Sequence, residues 1–314
     1  MIFKQSKIIW LIVIATLIRI VLATSIDLGN DEVYYLTYAQ HLQWNYFDHP
    51  PMVALLIRLT TFNLFFTDAF FVRLGPILLA AINTFLMYVI GCKLKNKTTG
   101  FIAALLFTSS IYTSIIAGVF ILPDAPQLFF WIICIYLLIE IVTESSNQTN
   151  YKLILFGFFA GLCIMSKIHG LFLWIGFGMY VLFYNRTLLF NKFFYLSVLI
   201  SIVIVSPILI WNIENHFITY TFHSNRVTLD RGIKFNSFFR EVLGGALYNN
   251  PLNYILIVSA LIGLYLNQYS IDHPIKRLLL ITSLPLVFIL IFISFFRDTL
   301  PHWSGPAFVS LILI

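Results

Sequence analysis

Adjacent carboxylates at Asp31 and Glu32, in the stretch Asn30-Asp31-Glu32-Val33-Tyr34-Tyr35, are the first residues of this sequence able to move a proton. A carboxylate pair just outside a helix end can serve as general base and as ligand or hydrogen-bond partner. It can equally cap a short helix and stay in water. Tyr46-Phe47-Asp48-His49-Pro50-Pro51 follows, and the two prolines can only begin a helix. Further on, Pro123-Asp124-Ala125-Pro126 sets an aspartate at the head of an apolar run, where the helix dipole stabilises it whatever its role. Ser166-Lys167-Ile168-His169-Gly170 then breaks an apolar run. A lysine there costs about 3 kcal/mol unless it snorkels to the interface or meets a carboxylate such as Asp31 or Asp124, or a ligand phosphate.

Two later stretches complete the set. Trp211-Asn212-Ile213-Glu214-Asn215-His216 is followed by Arg226, Arg231, Lys234 and Arg240, and Leu300-Pro301-His302-Trp303 comes near the end. The aromatics can anchor helix ends, while Asn212 and His216 could contact sugar hydroxyls or phosphate. The arginines could grip a phosphate or rest in solvent.

The elements that position these residues follow from composition. Of 314 residues, 60% are hydrophobic and 10% charged, with a mean hydropathy of +0.92. A soluble domain carries roughly a quarter charged residues, so this chain cannot clothe itself in a polar surface. Its long apolar runs predict an all-α polytopic membrane protein with about ten transmembrane helices, near 8–24, 70–91, 100–119, 126–142, 152–166, 168–184, 193–211, 251–267, 278–296 and from 304 on. Residues 152–184 could instead form a re-entrant pair, and 52–66 reads as a helix lying in the membrane interface or as an extension of the next span. The segment 8–23 behind Lys4 and Lys7 has the look of a signal peptide, and we read it as a retained first helix. Residues 1–314 read as a single transmembrane domain whose last run stops mid-helix, as though more chain followed.

The net charge of +6 is not gathered into one patch, which argues against nucleic acid as a partner. Cys92, Cys134 and Cys163 are scattered and suggest neither a disulfide framework nor a zinc site. Basic residues in the short loops orient the chain. Lys4, Lys7, Lys93, Lys95, Lys97, Lys152, Arg186, Lys192, Lys276 and Arg277 fall on the cytoplasmic side of an alternating path. The long loop 212–250 is basic and external, which short-loop statistics tolerate. Asp31, Glu32, Asp48, His49, Asp124, Lys167, Asn212, His216, Arg226, Asp298 and His302 then all fall outside, whereas the inner loops hold only Glu140, Glu144 and Asp272 among the acids. One face is chemical and the other structural.

Taken in order, Asp-Glu-x-Tyr-Tyr, Tyr-x-Asp-His-Pro-Pro, Pro-Asp-x-Pro, Ser-Lys, Trp-Asn-x-x-x-His and Pro-His-Trp resemble the dolichyl-phosphate-mannose-protein mannosyltransferase-like superfamily of GT-C glycosyltransferases. The likeness is greatest to its bacterial branch, which includes the aminoarabinose transferase acting on lipid A. It covers nearly the whole chain. The resemblance implies a GT-C-like helical bundle with extracytoplasmic loop helices, in a bacterial inner (plasma) membrane, with its site facing the periplasm or exterior. It also implies a polyprenyl-phosphate sugar donor and a lipid, glycan or protein acceptor among membrane lipids. By position, Asp31 matches the family's first-loop acid and Asp124 its second-loop acid. Ile168 stands where members commonly carry Tyr, and His216-Phe217 departs from their usual His-x-Trp.

On this reading Asp31 is the general base, while Glu32 and Asp124 position acceptor or sugar. Lys167 holds the phosphate with His216 and one or more of Arg226, Arg231 and Arg240. Tyr35, Asp48, His49, Asn212 and His302 complete substrate binding. No Gly-rich loop calls for a nucleotide, and the acids leave a divalent cation open without fixing one. The rival readings are a lipid-linked sugar flippase or secondary transporter and a non-enzymatic binding partner of lipid-linked glycans. A transporter gathers its polar groups near mid-membrane between internal repeats, and neither feature is evident here.

Overall fold

The structure, a computed structural model, describes residues 6–143, 149–228, 232–268 and 271–314. Lys4, Glu144 and Arg231 lie outside them. Its order is α1 (Ser6–Ser25), α2 (Asn30–Gln40), α3 (Met52–Thr60), α4 (Ala69–Leu94), α5 (Lys97–Ser109), α6 (Asp124–Thr143), α7 (Thr149–Ser166), α8 (Leu171–Tyr184), α9 (Lys192–Glu214), α10 (Ile218–Val227), α11 (Phe235–Tyr248), α12 (Pro251–Tyr265), α13 (His273–Ser294) and α14 (Gly305–Leu311). There is no strand among the described residues.

Six of these helices, α1, α4, α6, α7, α9 and α13, are long and apolar enough to cross a bilayer, and a seventh span arises if the bent pair α11–α12 is counted as one. The chain is a multi-pass membrane protein. Each of the ten expected segments is at least partly helical, but α5, α8, α12 and α14 are shorter than a bilayer crossing of about 20 residues requires.

The break after α5 has a local cause. Thr108 and Thr113, with Ser114, return their hydroxyls to carbonyls of the preceding turn, at Ala104, Phe107 and Thr108. Such back-bonding competes with the regular ladder, and the chain passes through a π-helical turn at Tyr112–Ile116.

Helix α6 is the hub. Of its most apolar window 78% is buried, against 17% for α1 and 22% for α9, which present their surfaces to lipid. Around α6 pack α4, α7, α13 and α14. The principal core runs through Trp131, Phe107, Phe156, Phe177 and Leu278. Helices α2 and α3 form a smaller cluster at one end, built on Tyr35, Tyr38, Tyr46, Val53 and Ile57. Helix α3 has an amphipathic pattern, and Leu55, Leu59, Phe62 and Phe65 stand exposed along it and the turn after it, as an interfacial helix requires.

Candidate active site

A cavity of about 690 Å³ opens at the end of the bundle where α2, α6, α8, α10, α13 and the turn Pro301–Ser304 meet. It gathers Asp31, Tyr35, Asp48, His49, Asp124, Lys167 and His302, seven of the residues singled out from the sequence. Leu286, Ile289, Leu290 and Ile293 of α13 form an apolar wall facing this polar group.

Two buried ion pairs build the polar end. Asp124, the first residue of α6, receives both 2.9 and 3.0 Å hydrogen bonds from Lys167 Nζ and a third of 3.2 Å from the Tyr112 hydroxyl. Lys167 sits in extended backbone between α7 and the 3-10 turn Ile168–Gly170, so its side chain leaves the helix ladder and enters the cavity. The π-helical turn brings Tyr112 to this site. Gly305 allows α14 to start flat against its ring, because a Cβ there would lie 2.3 Å from Tyr112 Cε1.

The second pair departs from the sequence expectation. Glu32 points away from the cavity into the protein, where Arg73 meets its two carboxylate oxygens at 2.8 and 2.6 Å and the amides of Gly29 and Ile121 donate to it. The remaining Arg73 N–H groups hold the carbonyls of Ala23, Ile26 and Asp27. One buried guanidinium thus ties the end of α1, the start of α2 and the segment before Asp124 together. Glu32 is spent on this clamp, while its neighbour Asp31 is left exposed on the cavity rim, with no side-chain hydrogen bond among the described residues.

Asp48 accepts from the hydroxyls of Tyr38 at 2.5 Å and Tyr34 at 3.3 Å, and its backbone oxygen lies 2.8 Å from His223 Nε2. Burial raises the Tyr38 phenol, and its hydrogen bond to Asp48 adds to the effect. Tyr38 therefore stays protonated and donates. Burial lowers the His302 imidazole to about 4, against the attraction of nearby Asp124. It is neutral at pH 7 and can both donate and accept.

Asn212, His216 and Arg240, expected to bind substrate, do not line this cavity. Asn212 is buried and donates to Ile208 within its own helix. His216 lies beyond the end of α9 and lines a different cleft. Arg240 is drawn to Asp298 at 2.6 Å in an exposed pair. Arg226 falls within α10. Composition made each look like a phosphate ligand; the course of α9 to α11 carries Asn212, His216 and Arg240 elsewhere. Conversely, His169, His223, Tyr34 and Trp303 line the cavity without having been singled out as site residues. Arg73 was hidden in an apolar run, where the cost of an unpaired arginine was its only signal. Among the described residues, no three carboxylate, imidazole or thiol groups are grouped to hold a metal.

The dolichyl-phosphate-mannose-protein mannosyltransferase family model matches residues 48–211, just over half of the chain. No curated protein sequence matches it. Among solved structures, the chain is similar to ArnT from Cupriavidus metallidurans in the apo state (TM-score 0.71, 15% identity, covering 98% of this chain and 58% of that one). It is also similar to the same protein bound to undecaprenyl phosphate (TM-score 0.67, 16% identity, 97% and 58%). The archaeal oligosaccharyltransferase AglB from Archaeoglobus fulgidus, in complex with an inhibitory peptide and a dolichol-phosphate, matches at TM-score 0.51 and 14% identity, over 99% of this chain and 50% of that one. The chain thus spans little more than half the length of these proteins, and at such identities the likeness is one of fold.

Proposed function

The chain belongs to the dolichyl-phosphate-mannose-protein mannosyltransferase family, and from that premise we propose that it moves a sugar from a polyprenyl-phosphate carrier to an acceptor hydroxyl at the outer face of a bacterial inner membrane. Residues 1–314 act as one transmembrane unit in this reading. The observation that carries it is one cavity with an unpaired carboxylate, Asp31, a carboxylate-anchored ammonium, Lys167, and an apolar wall on α13. A lipid phosphate needs cation and hydrocarbon side by side, and ArnT, of like fold, has been solved with undecaprenyl phosphate.

In the reaction, the acceptor oxygen attacks the anomeric carbon as the bond from that carbon to the phosphate oxygen breaks. Asp31 takes the acceptor proton. The polyprenyl phosphate leaves with the bonding pair, and Lys167 offers it positive charge. An ammonium has three donors; Asp124 engages two and thereby aims the third. A single displacement inverts the anomeric centre. Asp124 positions and His302, neutral, hydrogen-bonds sugar or phosphate. The acceptor is a lipid, glycan or protein.

The test is to reconstitute the protein with a radiolabelled polyprenyl-phosphate sugar and cell-envelope acceptors. Label should move to an acceptor with inverted configuration. Carrier crossing the vesicle bilayer with no label transferred would replace this reading with a flippase.

A further inference from the structure

A second cleft, of about 550 Å³, lies beside the reaction cavity at the outer end of α9, and the proposed reaction makes no use of it. It is lined by Trp211, Phe47 and the largely buried Tyr46, while Gln43, Glu214 and His216 supply polar groups. Among the described residues, no lysine or arginine lines it. Glu214 would repel a phosphate or carboxylate here, whereas sugar hydroxyls find amide, imidazole and carboxylate partners among aromatic residues.

The backbone here is held in an uncommon state. His216 and Phe217 both take left-handed φ values, 54° and 56°, although neither is glycine. Residues other than glycine adopt that region at a cost and persist there when their surroundings fix them, often at binding sites. The turn is fixed by Phe217 N–H donating to Asn212 O at 2.7 Å, and it leaves the His216 side chain exposed at the cleft rather than packed. Trp211 is fixed too, its indole N–H donating to Gln43 Oε1 at 2.7 Å.

Tyr38 links the cleft to the reaction cavity. Tyr38 lines the cleft and stacks on Tyr46 with ring centroids 3.7 Å apart, while its hydroxyl donates to Asp48 inside the reaction cavity. We infer that this cleft binds a neutral or amino-substituted sugar ring, as a subsite for a saccharide acceptor. The subsite's existence stands on this geometry, and only its role as an acceptor site rests on the transferase reading.

Saturation-transfer NMR on the full chain in micelles, with methyl glycosides of glucose, galactose and glucosamine as probes, tests it. Wild type should transfer saturation to the ring protons, and Trp211→Ala combined with His216→Gly should weaken the apparent affinity roughly tenfold or more. If that double variant fails to fold, Glu214→Gln and the strain-relieving His216→Gly singly carry the test. Glycoside binding indifferent to these folded variants overturns the inference, as does binding of inorganic phosphate or a peptide in place of any glycoside. Label transfer from a polyprenyl-phosphate sugar, run on the same samples, separates the two readings. Glycoside binding at the cleft without label transfer sinks the transferase and leaves the sugar site, whereas transfer with variant-indifferent glycosides sinks the sugar site alone.

Discussion

Asp124 at the head of α6 and Glu140 near its tail are both buried and both bound to lysine, about 24 Å apart along one helix axis. Glu140 receives Lys152 at 2.6 Å and also contacts Lys93, closing α4, α6 and α7 together at the end of the bundle away from the cavity. Asp124 receives Lys167 at the cavity end. By residue type, burial and pairing the two clusters are alike. They differ in what lies beside them: Asp124 and Lys167 line a cavity that can admit a ligand, and the Glu140 cluster borders none of the cavities described above. A buried ion pair becomes a candidate site when a ligand can reach one of its members; otherwise it is a brace.

Substitutions can break that contrast. The largest effect is expected for Asp31→Asn, which should lower label transfer by about 10²–10⁴-fold while leaving membrane insertion intact. Near-normal transfer would remove Asp31 from the base role. Lys167→Met should cost about 10²–10³-fold in transfer and also destabilise the protein, because Asp124 is left buried and uncompensated. Equal transfer in a folded Lys167→Met variant would make the Asp124 pair a brace like the Glu140 one. Glu140→Gln should do the opposite, lowering stability by about 3–5 kcal/mol in denaturation of the micellar protein with transfer by the folded fraction close to wild type. A folded, inactive Glu140→Gln protein would erase the distinction between the two ends.

The smallest effect concerns pH. Burial in the folded protein lowers the His302 imidazole from its ordinary 6.5 to about 4. Between these values the unfolded chain binds more protons, so stability is lost as pH falls from about 6.5 to about 4 and is flat above. His302→Gln should flatten that limb of the melting-temperature profile; an unchanged slope would assign it to other groups.

Hydropathy and charge order determined much of this protein by themselves. A chain this apolar must satisfy its backbone within helices inside a bilayer, and the loop acids, Lys167 and His302 had to share an end once basic residues oriented the spans. Asp124 and Lys167 were legible because each opens or interrupts an apolar run where a charge is costly without a reason, and Asp31 because it sits in an adjacent carboxylate pair beside a helix end. Only the tertiary structure decided which neighbours each charge would meet. Glu32 and Asp31 are adjacent and chemically alike, yet helical geometry turns one inward to Arg73 and the other to the cavity. His216 and Arg240 carry the same functional groups a phosphate site would use, but the path after α9 removes them from it. Pairing in three dimensions depends on contacts far apart in the chain, such as Glu32 with Arg73 or Asp124 with Lys167, and no local pattern encodes those.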